Sequence, residues 1–194
     1  MSSTSDYYKT LAREFYDSTV EADVTPLYER VLAYVPAGGA ILDLGCGSGR
    51  DTSAFLKMGY KVEAIDGSAE LCALASSYCG IEVKCMDFRD VDGGERFDAI
   101  WACASLLHVP TAELPELLTA LRDLLAPGGI FYMSFKFGDF EGERDGRFFN
   151  DMTSDKFASV FERTSGYEKI DEWKSRDVRR GKDVDWYNVI LRKL

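Results

Sequence analysis

Hydrophobic and polar positions change period several times along the 194-residue chain. Near the start, Tyr8, Leu11, Ala12 and Phe15 fall at i, i+3, i+4 and i+7, the stripe of an amphipathic helix. A second helix is expected with Thr25 as N-cap and Pro26 at its first position. Leu27, Val31, Leu32 and Val35 give its apolar face, and Pro36 and Gly38-Gly39 stop it. From there, short apolar runs alternate with helical stripes. The runs are 40–44, 60–65, 81–86, 97–103 and 130–136. The first stripe holds Ala54, Phe55 and Met58 and ends at Gly59. The second, capped by Ser68, holds Leu71, Leu74, Ala75 and Tyr78 and ends at Gly80. The third starts at Thr111, holds Leu114, Leu117, Leu118, Leu121 and Leu125, and is expected to end at Pro127-Gly128-Gly129.

Residues 138–151 are charged, contain glycine and show no clear period. Ser154 is expected to cap a helix with Phe157, Val160 and Phe161, and strand-like segments follow at 167–173 and 184–193. Alternating strand and helix predicts the α/β class, a Rossmann-like three-layer sandwich with a mostly parallel sheet and right-handed crossovers. The run 97–103 is apolar nearly throughout, as suits a central strand covered on both faces. One domain is expected, with 1–38 as a helical cap, 39–136 as a core, and 137–194 as a lid region and terminal strands.

Composition narrows the class. With 46% apolar residues the chain is globular, and no run approaches the roughly 20 apolar residues of a membrane span. Residues 1–6 are small and polar, so no secretory signal is expected. The five cysteines, at 46, 72, 79, 85 and 103, include no C-x-x-C pair, which fits reduced thiols in a cytoplasmic protein. The net charge of −10 argues against a nucleic-acid partner; the basic stretch 174–182 is interrupted by Asp177 and reads as solvated surface. A small-molecule substrate suits this charge better. A single histidine without a matching acidic or cysteine cluster argues against a metal.

The candidate chemistry lies at the strand ends, where open α/β sheets bind ligands. After the first run come Asp43 and a turn with Gly45, Gly47 and Gly49, which lets backbone approach a ligand closely. Cys46 within it reads as a small residue that fits. A dinucleotide fingerprint would want a further glycine where Arg50 stands. After the second run comes Asp66, 17 positions beyond Gly49, placed to accept from both ribose hydroxyls or to cap the next helix. Asp87-Phe88 follows the third run: a carboxylate can accept from an exocyclic amine and a ring can cover a purine, or Phe88 is core. After the fourth come Cys103, Ala104 and His108, the last a general base or a hydrogen-bonding residue that shapes the loop, with the structural role favoured. Arg147 either clamps an acidic substrate group or pairs with Asp145 or Asp151; Arg50 is a further possible binder.

The turn from Asp43 to Gly49, Asp66, Asp87-Phe88, the loop after the fourth run, and Leu125-Ala126-Pro127-Gly128-Gly129 together resemble class I S-adenosylmethionine (SAM) methyltransferases. Gly47-Ser48-Gly49-Arg50-Asp51, Asp66-Gly67-Ser68, the segment 101–110 and Ser134-Phe135-Lys136 resemble, more narrowly, the bacterial tellurite-resistance-like subgroup. The resemblance implies a seven-stranded sheet with a C-terminal antiparallel hairpin. It also implies that the turn of Gly45, Cys46, Gly47 and Gly49 holds the methionine part of SAM, Asp66 the ribose, and Asp87 and Phe88 the adenine, with Asp43 and Gly67 also among the cofactor-binding residues. Cys103 and Ala104 would line the methionine side, and an aromatic of the N-terminal helices, Tyr16, would close over the cofactor. Methyl transfer to a small acceptor is the expected activity. A nicotinamide-dependent oxidoreductase and a non-enzymatic SAM-binding module are the alternatives.

Overall fold

The structure, a computed structural model, describes residues 3–94, 96–179, 181 and 183–194. Seven strands form one sheet in the order β3-β2-β1-β4-β5-β9-β8. They are β1 (Ala40–Leu44), β2 (Lys61–Asp66), β3 (Val83–Cys85), β4 (Phe97–Ala102), β5 (Leu125–Lys136), β8 (Tyr167–Arg176) and β9 (Asp185–Lys193). Strands β1 to β5 run parallel, while β9 pairs antiparallel with both β5 and β8. The strand order reverses between β1 and β4, which opens a crevice at their carboxyl ends.

The period-two alternation hidden in the apolar runs separates the two covered faces. Leu42, Leu44, Ile100, Ala102, Phe131 and Met133 pack on one side with Leu118 and Leu121 of α5 (Leu114–Arg122) and Phe157 and Val160 of α6 (Ser154–Phe161). Ile41, Ala99, Trp101, Ile130 and Tyr132 pack on the other with Tyr28 and Val31 of α2 (Thr25–Leu32) and Phe55 of α3 (Arg50–Lys57). Ahead of these, α1 (Ser3–Thr19) leans on α4 (Ala69–Cys79).

Several boundaries differ from the sequence reading. Val24, not Thr25, is the N-cap of α2; the Asp23 carboxylate takes the Thr25 amide (3.0 Å) and starts the helix one residue early. Thr153, not Ser154, caps α6, its hydroxyl accepting from the Lys156 amide. Met58 and Tyr78 end their stripes half-exposed, at 49% and 41%, because Phe55 and Ala75 fill the core one turn earlier. Thr111 does not begin α5. Its amide and hydroxyl both donate to Glu141, holding residues 111–113 in a turn. Leu125 belongs to β5, and Pro127-Gly128-Gly129 form a bulge inside that strand, where the register against β4 shifts between Phe97 and Ala99.

The largest difference is in 138–151. Here β6 (Glu141–Arg144) and β7 (Arg147–Asn150) pair as a hairpin outside the main sheet. Asp145 and Gly146 make its two-residue turn with φ of +54° and +73°, the left-handed pair a tight hairpin requires. This hairpin faces α1 and the loop after β4, and so walls the crevice.

Candidate functional site

The crevice holds a cavity of about 1290 Å³, lined along its floor by the strand ends and above by α1 and the hairpin. Its deepest wall is the glycine turn. The amides of Gly45 and Cys46 both donate to the Ile65 carbonyl (3.0 and 2.9 Å), fastening the turn to β2. Gly45 sits at φ +81°, and a Cβ there would stand 2.5 Å from that of Ser105. Gly47, at φ +55°, approaches Phe15 so closely that a Cβ would lie 3.1 Å from its ring.

Asp66 closes the end of β2. One carboxylate oxygen accepts from the Gly47 amide and the other from the Ser68 amide, both at 2.9 Å. Burial pushes its pKa up, while the amides of Ser68, Gly47 and Gly67 hold it down. Each oxygen keeps acceptor capacity toward the cavity. Asp87 accepts from the Arg89 amide (2.8 Å) and pairs with the Arg89 guanidinium at the rim, beside Phe88.

Beneath the turn lies a second layer. Asp51 is buried and accepts from the Tyr28 hydroxyl (2.6 Å), the Trp101 indole (2.8 Å) and two nitrogens of Arg50 (2.7 and 2.9 Å). Burial alone would raise its pKa; the charge of Arg50 and these bonds bring it below the ordinary carboxylate range. Arg50 is thereby pinned with its guanidinium 3.7 Å from the Cys103 sulfur, on the cavity wall. Burial pushes the Cys103 thiol up to about 11, so it stands there neutral at pH 7.

His108 bridges the cap and the core. Its Nδ1 lies 2.6 Å from the Phe148 carbonyl, an acceptor only, so Nδ1 carries the proton and donates. Nε2 then accepts from the Tyr8 hydroxyl at 3.1 Å. Burial lowers the imidazole pKa to about 4, and His108 is neutral at pH 7 with both nitrogens engaged.

Gly45, Cys46, Gly47, Arg50, Asp66, Gly67, Asp87, Phe88, Cys103, Ala104, His108 and Arg147 all line this one cavity. Asp43, Gly49 and Tyr16 do not. Asp43 lies under the turn, 2% exposed, and accepts from the Thr52 hydroxyl at 2.5 Å; burial and the neighbouring Asp51 raise its pKa. Gly49 faces α4, where a Cβ would lie 2.7 Å from the Cys79 sulfur, so it serves helix packing. Tyr16 instead packs toward α4, edge-on to Tyr78 with Arg13 across its ring. The aromatics of α1 that reach the cavity are Tyr8 and Phe15, which the stripe assigned to the core. Their stripe does face inward, but toward a crevice. Arg147 pairs with neither Asp145 nor Asp151; Asp151 binds Arg144 instead, through both oxygens (3.0 and 2.9 Å). Lys136 and Phe149, which sequence reasoning placed in a candidate acceptor region, 136–152, without singling them out, line the cavity from β5 and β7.

The residues present fit SAM. The buried Ser105 hydroxyl lines the cavity with no hydrogen-bond partner among the described residues, the glycine turn is bare, and Asp66 has acceptor capacity to spare. Among the described residues no cluster of three or more histidine, cysteine or acidic side chains could hold a metal, and no helix is long and apolar enough to cross a membrane.

Residues 41–129 match the family described as "Methyltransferase domain". A ubiquinone biosynthesis O-methyltransferase of Nitrobacter winogradskyi is 34% identical over 103 residues, which cover 50% of this chain and 39% of that protein. The chain spans less than half the length of the first such relatives it matches. Among solved structures, the Burkholderia thailandensis 1,6-didemethyltoxoflavin-N1-methyltransferase with bound 1,6-didemethyltoxoflavin and S-adenosylhomocysteine (SAH) superposes with a TM-score of 0.71 at 24% identity, covering 97% of this chain and 89% of that one. The N-methyltransferase NodS of Bradyrhizobium japonicum in complex with SAH gives 0.73 at 16%, covering 95% and 97%. These superpositions establish the fold, and the family match covers its residues 41–129, from β1 through the β5 bulge.

Proposed function

We propose that the protein transfers a methyl group from SAM to a small-molecule acceptor held under the hairpin. One observation carries this reading: the glycine turn, Asp66 and Asp87-Phe88 open onto a single cavity that continues past them toward α1 and the hairpin. The first part suits an adenosyl group and an amino-acid tail; the second is left for the acceptor. When bound, SAM supplies a methyl already activated by a sulfonium.

The chain's own task is then to orient two reactants and exclude water, which contributes roughly 7–11 kcal/mol in favourable cases. The glycine turn, free of bulky side chains at Gly45 and Gly47, lies against the methionine end. Asp66 takes the ribose hydroxyls, with Gly67 beside it, and Asp87 and Phe88 take the adenine. Arg50, held by Asp51, meets a carboxylate, and Cys103 and Ala104 leave room beside it. Phe15 closes over the cofactor in place of Tyr16. His108, neutral and bonded on both nitrogens, shapes the acceptor side and fastens β7 to α1; it serves as a base only if Tyr8 lets go of Nε2.

The division of labour among 1–38, 39–136 and 137–194 follows the same scheme, with the hairpin as the wall of the acceptor pocket. A cytoplasmic setting rests on the cysteines. Membership of the tellurite-resistance-like subgroup rests on motif likeness alone, since the relatives found are ubiquinone O-methyltransferases.

Calorimetric titration with SAH and, in parallel, with NAD tests the cofactor. Binding of SAH alone is expected; NAD binding alone would return the chain to the oxidoreductase class. Release of SAH from SAM across a panel of acceptors tests turnover, and binding without turnover on any acceptor would leave a cofactor-binding module.

A further inference from the structure

Three cationic side chains crowd one aromatic ring on the acceptor side. The Lys136 ammonium lies 4.0 Å from the Phe149 ring centroid, and the guanidinium carbons of Arg144 and Arg147 lie 4.7 and 4.8 Å from it. Arg144 is neutralised by Asp151. Among the side chains the structure describes, neither Lys136 nor Arg147 has a carboxylate within ion-pair distance, while Arg144 and Lys156 do.

Arg147 is further constrained. Its guanidinium lies 4.1 Å from the ring centroid of Tyr7, its Nη1 is 3.5 Å from the Tyr8 hydroxyl, and its Nε is buried without a hydrogen-bond partner among the described residues. Ring faces attract cations but leave N–H donors unsatisfied. Two half-buried like charges repel each other, and the proximity of Arg144 and Arg147, after burial itself, depresses the Lys136 pKa. An arrangement of this kind is relieved by an anion. Both cations line the cavity, together with Tyr8, His108 and Phe149.

We infer that Lys136 and Arg147, held against the Phe149 ring, form an anion subsite that selects acceptors carrying a carboxylate or other oxyanion, and that the aromatic walls favour one mounted on a ring. This deepens the proposed methyl transfer and rests on it. An anionic acceptor also complements a sulfonium, so cofactor and acceptor favour one another's binding.

The test uses the full chain saturated with SAH, titrated calorimetrically with benzoate, phenyl phosphate, inorganic phosphate and benzamide. Benzoate and phenyl phosphate are expected to bind and benzamide at least tenfold more weakly. Inorganic phosphate binding as well as phenyl phosphate would assign the subsite to free oxyanions and overturn the ring preference. Lys136→Met and Arg147→Gln are each expected to weaken benzoate at least tenfold while SAH affinity stays within threefold. Lys136→Met alone reads the subsite if Arg147→Gln unfolds. Unchanged benzoate affinity in the variants, equal binding of benzamide, or no binding of any anion would overturn the inference. A parallel loss of SAH affinity would instead assign these cations to the cofactor's own carboxylate and overturn it too. Failure of the unaltered protein to bind SAH is a separate result and defeats the methyltransferase reading itself.

Discussion

The Asp66 carboxylate accepts the Gly47 amide at 2.9 Å, so the acid that ends β2 holds the glycine turn that ends β1. Its other oxygen accepts from Ser68 at the start of α4. One side chain therefore sets the spacing of three elements around the cavity. Asp66→Asn keeps the size but turns an NH₂ group toward one of two amide donors. Hydrogen bonds to a charged group contribute about 1.5–3 kcal/mol each. SAH affinity is expected to fall by roughly 10- to 100-fold, with a lower midpoint of thermal unfolding. Calorimetric affinity within twofold of the unaltered protein would remove Asp66 from the cofactor site.

Two glycines past strand ends and helix ends separate backbone strain from crowding. Gly49 (φ +78°) has no room for a Cβ, with Cys79 sulfur at 2.7 Å and the Ala75 Cβ at 3.0 Å. Gly59 (φ +90°) faces open space. Gly59→Ala is expected to lose only the left-handed backbone preference, about 1 kcal/mol. Gly49→Ala adds overpacking between α3 and α4 and is expected to lose about 2–4 kcal/mol. Urea midpoints of the two variants give the comparison directly; equal losses would refute a packing role for Gly49.

The order of the elements was legible because strand and helix differ in hydrophobic period, and that order alone implies the crevice. Asp66 and Asp87 were legible because topology puts strand ends in one row. Four things were not. Residues 138–151 lack a period, yet the Asp145-Gly146 pair is itself a hairpin signal, outweighed there by the surrounding charge. The boundary of α6 slipped by one because Thr153 and Ser154 are both good caps and only the bond to Lys156 decides between them. Tyr8 and Phe15, rather than Tyr16, reach the cavity because a helical stripe marks an inward face without saying whether core or cavity lies beneath it. Lys136 and Phe149 come together only when β5 and the hairpin fold, and no spacing along the chain carries that.

Phe15 and Tyr16 point in different directions from α1. Phe15 touches the space over Gly47, while Tyr16 meets Tyr78 outside the cavity. Phe15→Ala is expected to weaken SAH by roughly tenfold, from about 1.5 kcal/mol of lost contact. Tyr16→Ala is expected to stay within twofold. The reverse pattern in calorimetry would show that α1 rotates when cofactor binds.

His108 links pH to stability. Its imidazole is neutral in the fold, with a pKa near 4 against an ordinary value of 6.5, because burial disfavours the cation and Nδ1–H is committed to the Phe148 carbonyl. Between these values the unfolded chain binds the proton and the folded chain does not. The contribution is thus fully present above pH 6.5 and is lost as the pH falls through about 4. Its size is at most roughly 3 kcal/mol. His108 is the only histidine, so its ring resonances are unambiguous in NMR. They are expected to titrate near 4 in the folded protein. His108→Asn can keep a donor toward Phe148 but cannot gain a proton, so unfolding midpoints of the variant should lose that part of the slope between pH 6.5 and 4. A folded-state titration near 6.5 would mean that the imidazole is open to water, and that the bonds to Phe148 and Tyr8 do not hold the hairpin against α1.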